Sequence, residues 1–260
     1  MSRFYVSKDQ VEGNSILITG KEAHHILNVM RLKRLDKVAA FDGTGKEYTG
    51  FISQIGSRTI TVEIVETRVP PNLMAVRTTL MQAIPKKEKM GYIVEKATEL
   101  GVNHIMPVMT ARTIVDWDEK KKAAAVTRWQ KIAVEASKQC GRVDIPEIEA
   151  VEDFGGMVKS AGDYDLALIA ALDAAAAPLK DALRERTLLP PSVMQGRDRN
   201  DDAAARIAIA IGPEGDFTPE EIEKALEANF KLINLGPRVL KSDTAGLAVL
   251  AILNYEFRDR

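Results

Sequence analysis

The segment from Ile211 to Glu221 combines residues that can hold a ligand at the end of a strand. An apolar run ends at Ile211 and is followed by Gly-Pro-Glu-Gly at 212–215. Glycines let backbone N–H and C=O groups approach a ligand closely, and open α/β sheets bind ligands beyond the carboxyl ends of their strands. Thr218, Pro219 and Glu221 have the spacing of a helix N-cap, a first-turn proline and a capping-box acid. The segment therefore predicts either a ligand-binding loop or an ordinary strand-to-helix turn.

A second loop has the same design. A Gly-Pro pair at 236–237 leaves an apolar strand predicted over 230–236, and Ser242 or Asp243 is placed to cap the helix that follows. Two such loops at neighbouring strand ends would form one pocket. The helix is apolar nearly all round from Ala245 to Leu253. It is therefore either buried within the chain or packed against a second subunit.

A long helix predicted over 118–140 carries a polar line beside an apolar stripe. At 100° per residue the polar line spans about 60°, and its members are Arg128, Glu135, Gln139 and Arg142. The apolar stripe, which is expected to face the core, consists of Trp129, Ile132, Ala133, Ala136 and Cys140. Such a polar line is usually a solvated flank, but arginines mixed with Glu and Gln can also bind phosphates and a base edge. Both interpretations stay open.

Positive charge is concentrated in the first part of the chain. Residues 1–145 hold 23 Lys and Arg against 16 Asp and Glu, whereas residues 146–260 hold 13 against 21. Four cations, Arg31, Lys33, Arg34 and Lys37, fall within one short segment. This density suits contacts with the phosphates of a nucleic acid, although a solvated surface accounts for it as well.

The sequence lacks the residue patterns of several other functional classes. His24, His25, His104 and the single Cys140 do not have the spacing of a zinc site, so we expect no metal. No glycine-rich dinucleotide fingerprint follows a strand, which argues against a nucleotide-dependent oxidoreductase. The longest apolar stretch is too short to cross a bilayer, and the start of the chain lacks a signal-type apolar region. We therefore expect a cytoplasmic protein without a membrane partner.

The elements that must position these residues fall into two domains. Residues 1–70 contain short β runs separated by turn signals and predict a small antiparallel barrel with one helix from 21 or 22 to 30. The predicted strands cover 15–19, 37–41, 48–52 and 59–65. Consecutive prolines at 70 and 71 predict an extended linker over 69–72. The second domain then covers 73–260.

Strands and helices alternate in this second domain. Strands are predicted at 77–84, 104–109, near 148, and at 165–172, 206–212 and 230–236, and helices at 88–100, 118–140, from 153, and after each of the last two strands. The alternation predicts an α/β fold with a mostly parallel sheet and helices on both faces. Residues 184–205 are rich in Pro, Gly, Asp and Arg, which predicts an inserted loop.

Five groups of residues, in order along nearly the whole chain, resemble the ribosomal RNA small subunit methyltransferase E family of the SPOUT class. They are HHILNVMR at 24–31, EKATELG at 95–101, Arg128-Trp129 with Glu135-Ala136 and 139–142, IGPEG at 211–215, and LGPRVL at 235–240. The resemblance implies a PUA-like or OB-like barrel that binds RNA, followed by a sheet tied in a trefoil knot. It also implies S-adenosylmethionine as the methyl donor and N3 of a uridine in the decoding region of 16S rRNA as the acceptor. The partners would be 16S rRNA or the small ribosomal subunit, and a second copy of the chain that completes the active site.

Positions that match the family's motifs inherit candidate roles. Those implied to line the cofactor pocket are Leu172, Ile211, Gly212, Gly215, Leu235, Gly236 and Leu240. Arg31, Arg128, Glu135, Gln139, Arg142 and Arg238 become candidates for contact with RNA and the target base. The chain departs from the family at Asp216, where glycine is usual, and over 241–244, where Lys-Ser-Asp-Thr replaces Arg-Thr-Glu-Thr.

Methylation at N3 of uridine requires loss of a proton that is held at neutral pH. A proton acceptor, or a cation that stabilises the developing anion, must therefore lie near the base. Arg238 is a candidate stabiliser, and Glu214 or Asp243 a candidate acceptor. The alternative hypothesis is an RNA-binding module with a degenerate, inactive knot.

Overall fold

The computed structural model describes residues 3–70, 76–115, 117–184 and 204–257. The chain divides into two compact units, one made of residues 1–71 with 134–145, the other of 72–133 with 146–260. The segment 134–145, which the sequence analysis placed in the second domain, thus belongs to the first unit. The predicted insert lies outside the described residues except at its ends, and so does the second half of the predicted linker.

The described part of the first unit contains a six-stranded sheet in the order β1-β4-β5-β6-β3-β2. Its strands are β1 (Arg3–Tyr5), β2 (Val11–Glu12), β3 (Ser15–Ile18), β4 (Lys37–Phe41), β5 (Glu47–Ile55) and β6 (Ile60–Arg68). Neighbours are antiparallel except β1 and β4, which are parallel. The four predicted strands are confirmed. The two additional ones, β1 and β2, are too short to show a period in the sequence.

The helix of the first unit has two parts. Helix α1 (Gly20–His24) continues into a π-helical turn (His25–Val29). Ala23 and Ile26 are fully buried and pack with Phe4, Ile18 and other apolar side chains of the sheet. The predicted helix is therefore present, but its second half winds more widely than an α-helix.

The second unit is built on a sheet of eight described strands, all paired in parallel. The order is β10-β8-β7-β13-β11-β14-β12, and β9 also pairs with β8. The strands are β7 (Val76–Ala83), β8 (His104–Met109), β9 (Glu147–Ile148), β10 (Glu152–Asp153), β11 (Leu166–Ala170), β12 (Ala177–Pro178), β13 (Ala205–Ile211) and β14 (Lys231–Asn234). The order places the carboxyl ends of β11, β13 and β14 close together at one edge of the sheet.

Helices cover both faces of this sheet. They are α2 (Lys89–Glu99), the part of α3 (Glu119–Cys140) that precedes residue 134, α4 (Phe154–Lys159), α5 (Leu179–Arg184), α6 (Pro219–Glu227) and α7 (Ser242–Phe257). Helix α7 lies over β7 and β13 and contacts α2, where the Asn254 side chain donates to the carbonyl of Leu100 at 3.0 Å. The α4 and α6 side chains share a core with Met81 on the other face.

Burial on both faces explains the composition of β13. From Ile207 to Ile211 the strand is apolar without alternation, and every one of these residues is buried. A strand covered on both faces by helices needs such a continuous apolar run. The predicted α/β fold, with a parallel sheet between helices, is confirmed, while the trefoil knot stays a prediction. In the described ranges, none of the helices is both long and apolar enough to span a bilayer.

Candidate functional site

A cavity of about 1110 Å³ opens at the carboxyl ends of β11, β13 and β14. Its wall comes mainly from three loops, 170–176, 211–216 and 233–242. Six of the seven residues predicted to bind the cofactor line it: Leu172, Ile211, Gly212, Leu235, Gly236 and Leu240. The seventh, Gly215, lies in the same loop outside the lining, and its carbonyl accepts a hydrogen bond from the Arg112 guanidinium. The two Gly-Pro loops thus line one pocket, as predicted, although the strands that they follow are not neighbours, because β11 lies between them.

The loop after β13 is held by the side chains of Arg112 and Asp216. Arg112 donates to the carbonyl oxygens of both Gly215 and Phe217. The Asp216 carboxylate accepts one bond from its neighbour, the Phe217 N–H, and one from the N–H of Leu172, each at 2.8 Å. Asp216 therefore ties this loop to the loop after β11.

This bond accompanies an unusual backbone conformation. Asp216 has φ of +62°, in the left-handed region where a side chain is unfavourable. Glycine adopts this conformation freely, which fits the glycine usual at this position in the family that the sequence resembles. Here the carboxylate supplies a connection between two walls of the cavity that glycine lacks.

The two loop glycines have different surroundings. A Cβ added at Gly212 would lie 3.2 Å from Asp216 Oδ1 and 3.3 Å from Phe217. The missing side chain at Gly212 therefore makes room for the loop's own residues. Gly236 has φ of +106°, and a Cβ there would meet no atom within 4 Å. Only the second glycine leaves open space at the cavity.

Ser242 connects the last helix to the first loop. It is the first residue of α7, and its hydroxyl donates to the carbonyl of Gly212 at 2.6 Å. The same oxygen accepts from the amide of Gln82, which is fully buried at the end of β7. The sequence predicted a possible helix cap, whereas the hydroxyl instead fastens α7 to the carboxyl ends of β7 and β13.

The two candidate proton acceptors lie on either side of one lysine. Lys89 Nζ is 3.1 Å from Asp243 Oδ2 and 3.8 Å from Glu214 Oε1. Glu214 also accepts weakly from the backbone N–H of Lys86. Lys89 lines the cavity, as do Glu214 and the exposed Arg238. Sequence reasoning missed Lys89, although it follows β7 at the same edge of the sheet as the two Gly-Pro loops.

The four predicted phosphate-binding cations of the first unit are exposed. They are Arg31, Lys33, Arg34 and Lys37, called the basic cluster below. Within the described residues, their side chains form no hydrogen bond or ion pair. Arg31 and Leu35 have φ of +54° and +73°, so the loop before β4 turns sharply twice. The four charges are free to meet an anion.

The polar line predicted on α3 separates into different environments. Arg128 pairs with Glu88 at 3.1 Å, and Glu135 pairs with Lys138 at 3.2 Å. Gln139 is exposed. Gly141, at φ of +86°, follows the helix end, so Arg142 lies beyond the helix. Its side chain is only 13% exposed and pairs with Asp144.

The apolar stripe on the same helix is partly confirmed. Trp129, Ala133 and Ala136 are buried, and Ile132 is half-buried. Cys140 is exposed, so the expectation of a core position is wrong for this residue.

His104 lies at the other edge of the sheet, at the start of β8. Its Nδ1 is 3.6 Å from a Glu149 oxygen, and burial lowers the pKa of the imidazole. It is therefore far from the cavity edge and unsuited to serve there as a base. Among the described residues, no group of His, Cys, Asp or Glu is arranged to hold a metal ion.

Comparison with known proteins assigns this fold and site to a class. A model of the RNA methyltransferase domain matches residues 72–254, and a model of the RNA methyltransferase PUA domain matches residues 18–65. The class is that of the RNA methyltransferases. Within it, the chain belongs to the ribosomal RNA small subunit methyltransferase E family, which confirms the resemblance seen in the sequence.

Three relatives illustrate the match. The family member from Synechocystis is 30% identical over 97% of this chain and 77% of its own length. That from Bacillus subtilis is 28% identical over 98% and 97% of the two chains. The crystal structure of ribosomal RNA small subunit methyltransferase E from Neisseria gonorrhoeae bound to S-adenosyl methionine has a TM-score of 0.80 and 27% identity, covering 99% of this chain and 98% of that one.

Proposed function

We propose that the protein transfers a methyl group from S-adenosylmethionine to N3 of a uridine in the decoding region of 16S rRNA. The observation that carries this proposal is the cavity at the carboxyl ends of β11, β13 and β14, which six of the seven expected cofactor residues line. The Neisseria gonorrhoeae relative is bound to S-adenosyl methionine and has the same fold over nearly its whole length. A ribosomal RNA substrate supports a cytoplasmic location for the proposed activity.

The cavity fits this cofactor. Leu172, Ile211, Leu235 and Leu240 supply an apolar wall, and the strand ends offer backbone groups for an adenine and a ribose. The space beside Gly236 is open for a ligand. When bound, the cofactor supplies an electrophilic methyl group. The chain's own contribution is to hold donor and acceptor in line, because aligned reactants avoid most of the entropic cost of meeting.

The residues around Lys89 are proposed to remove the proton from N3 of the uridine. Asp243 or Glu214 accepts the proton, and the ammonium of Lys89 lies within ion-pair distance of both carboxylates. Arg238, exposed at the cavity, is positioned to stabilise negative charge that develops on the base. Lys89 is a second cation, besides Arg238, that can stabilise negative charge on the base. Both kinds of group contribute most where water is excluded.

RNA binding is assigned to the first unit and to the α3 residues. The basic cluster contacts phosphates, and its four free charges support this role. Gln139 and Arg128 are exposed enough to reach RNA, the latter by exchanging its partner Glu88. Arg142 would first have to leave Asp144, so its contribution is the smallest of the set. The partner is 16S rRNA or the assembled small subunit.

A second copy of the chain is proposed to cover the outer face of α7. The inward face of this helix, including Val249 and Leu253, is buried in the monomer. The outward face also carries apolar side chains, among them Ile252 and Tyr255, the latter 86% exposed. Ile252 lines the cavity, so a partner that covers this face would adjoin the site.

Sedimentation tests this assembly. We expect a dimer at low micromolar concentration, and a folded monomer after Tyr255→Asp, since the side chain is exposed within one protomer. The exposed residue Lys8 offers a control, because Lys8→Asp on the first unit leaves α7 untouched. A monomeric wild-type protein with full activity contradicts the dimer.

Two measurements test the function. Calorimetry with S-adenosylmethionine separates the enzyme, which must bind it, from an inactive RNA-binding module, which need not. Small subunits from a deletion strain then serve as substrate, and mass spectrometry of the rRNA locates the methyl group added by the purified protein. Cofactor binding without any methyl transfer to N3 of a uridine contradicts the proposed reaction.

A further inference from the structure

Phe51 is an aromatic side chain on the outer surface of the first unit. It lies in the middle of β5, where its neighbours Gly50 and Ile52 are buried, and its own exposed fraction is 40%. A single exposed apolar residue is ordinary on a protein surface. The surroundings of Phe51 are what distinguish it.

The ladder between β4 and β5 places Phe51 beside the basic cluster. Lys37 is its direct partner across the strands, so both side chains project from the same face at a Cβ separation of about 5 Å. Two backbone bonds extend the pairing into the preceding loop, from Leu35 N–H to Ile52 O at 2.8 Å and from Ile52 N–H to Asp36 O at 3.1 Å. The loop that carries the cations therefore enters the sheet next to the aromatic ring.

Apolar surface accompanies the positive charge in this loop. Leu35 is 72% exposed, and Val29 and Met30, immediately before Arg31, are exposed as well. On the opposite side of Phe51, its partner across β6 is Glu63. A polyanion is therefore attracted along the β4 side of the ring and repelled on the β6 side.

This combination matches the chemistry of unpaired RNA. A splayed base stacks on an aromatic side chain, and its phosphates contact neighbouring cations. In a duplex the bases are stacked on one another, so an aromatic ring on a protein surface gains little from them. We propose that Phe51, Leu35 and the basic cluster form a surface for single-stranded or looped RNA, with a base stacked on Phe51. The proposal rests on the proposed function, since it specifies how the first unit binds RNA.

Binding of RNA oligonucleotides to the full chain tests the proposal. Phe51→Ala should weaken binding of a single-stranded oligonucleotide by about 5- to 140-fold, which is the range for loss of one stacked base. Binding of a duplex with the same sequence should change little. Because the variant keeps all four cations that bind phosphates, the dependence of affinity on salt should keep its slope.

Three variants act as controls. Phe51→Trp keeps a stacking surface and should restore the affinity. Ile55→Ala removes an apolar side chain that is 44% exposed on the same strand but pairs with Ile60, away from the loop, and should leave binding unchanged. Arg31→Ala with Arg34→Ala should flatten the salt slope by about 0.7 for each phosphate that is no longer bound.

The outcomes separate two failures. If the wild-type chain binds neither RNA, RNA binding by the first unit is wrong and this inference falls with it. If the wild-type chain binds and Phe51→Ala, with an unchanged melting temperature, binds the single strand equally well, only the stacking proposal is overturned. An equal loss for duplex and single strand overturns it as well. If Phe51→Ala unfolds, Phe51→Trp provides the test. The stacking proposal is then overturned if Phe51→Trp does not bind the single strand better than the duplex.

Discussion

The two Gly-Pro loops of the cavity look alike in the sequence and differ in the structure. The loop after β13 is fastened by Arg112, by Asp216 and by Ser242, and its glycine is packed against the loop's own residues. The loop after β14 is exposed from Gly236 to Val239, and its glycine faces open space in a left-handed conformation. A glycine that follows a strand can therefore serve either the packing of the chain or the access of a ligand.

This difference assigns the loops different parts in the proposed reaction. The first forms a wall whose position is set before any ligand arrives. The second presents Arg238 and open space to whatever enters the cavity. Lys89 joins them, because its two partners Glu214 and Asp243 lie one in the first loop and one just after the second. Four predictions test how far this division holds.

The largest effect should come from the residue that accepts the proton. We expect either Glu214→Gln or Asp243→Asn to lower the rate of methyl transfer by about 10²- to 10⁴-fold, the range for loss of a general base. The other variant should show a smaller loss, since it removes only one partner of Lys89. Single-turnover rates measure the effect, and calorimetry checks that the cofactor still binds. If both variants transfer the methyl group at the wild-type rate, neither Glu214 nor Asp243 is the proton acceptor.

Gly236→Val should abolish cofactor binding. The substitution places a side chain in the open space and forces a β-branched residue to φ near +106°, which costs about 1–3 kcal/mol of stability. Gly45→Val is the matched control, because Gly45 has φ of +97° and equally open surroundings in the first unit. It should lose similar stability and keep its cofactor affinity. Equal affinities in both variants would remove Gly236 from the pocket.

Gly212→Val should act on the fold instead. Its side chain would press against Asp216 and Phe217, and overpacking of this kind costs about 1–3 kcal/mol. Gly212→Ala should cost less, because neighbours need to move by only a few tenths of an ångström. Denaturant unfolding measures both. A fully stable Gly212→Val that no longer binds the cofactor would show that this glycine also faces the ligand.

The smallest effect is expected for Asp216→Gly. Relief of the left-handed backbone and loss of two hydrogen bonds oppose each other, so the free energy of unfolding should change by no more than about 1 kcal/mol. Cofactor affinity should fall by less than about tenfold, because the Leu172 wall loses one backbone bond. Asp216→Asn, which keeps one acceptor oxygen, should lie between. An affinity unchanged in both variants would mean that the bond to Leu172 does not shape the cavity.

Much of the fold could be predicted because its rules are local. The bounds of β4 and β8 are those predicted from the sequence, and α6 begins with the predicted capping box of Thr218 and Glu221. Strand alternation, helix periodicity and caps depend on residues a few positions apart. Short strands such as β1 and β2 were not predicted, because two or three residues are too few to show a hydrophobic period.

The candidate site also has features that the sequence predicts and features that only the tertiary structure shows. The sequence by itself determined that two glycine loops each follow an apolar strand, which apolar residues surround them, and which family the chain resembles. Only the tertiary structure decided that Gly212 is packed and Gly236 open, that Arg142 is occupied by Asp144, and that Lys89 joins Glu214 to Asp243. These outcomes depend on which strands become neighbours and on a few ångströms between side chains from distant parts of the chain. No local pattern contains that information, because it arises only when the sheet is assembled and its helices are packed.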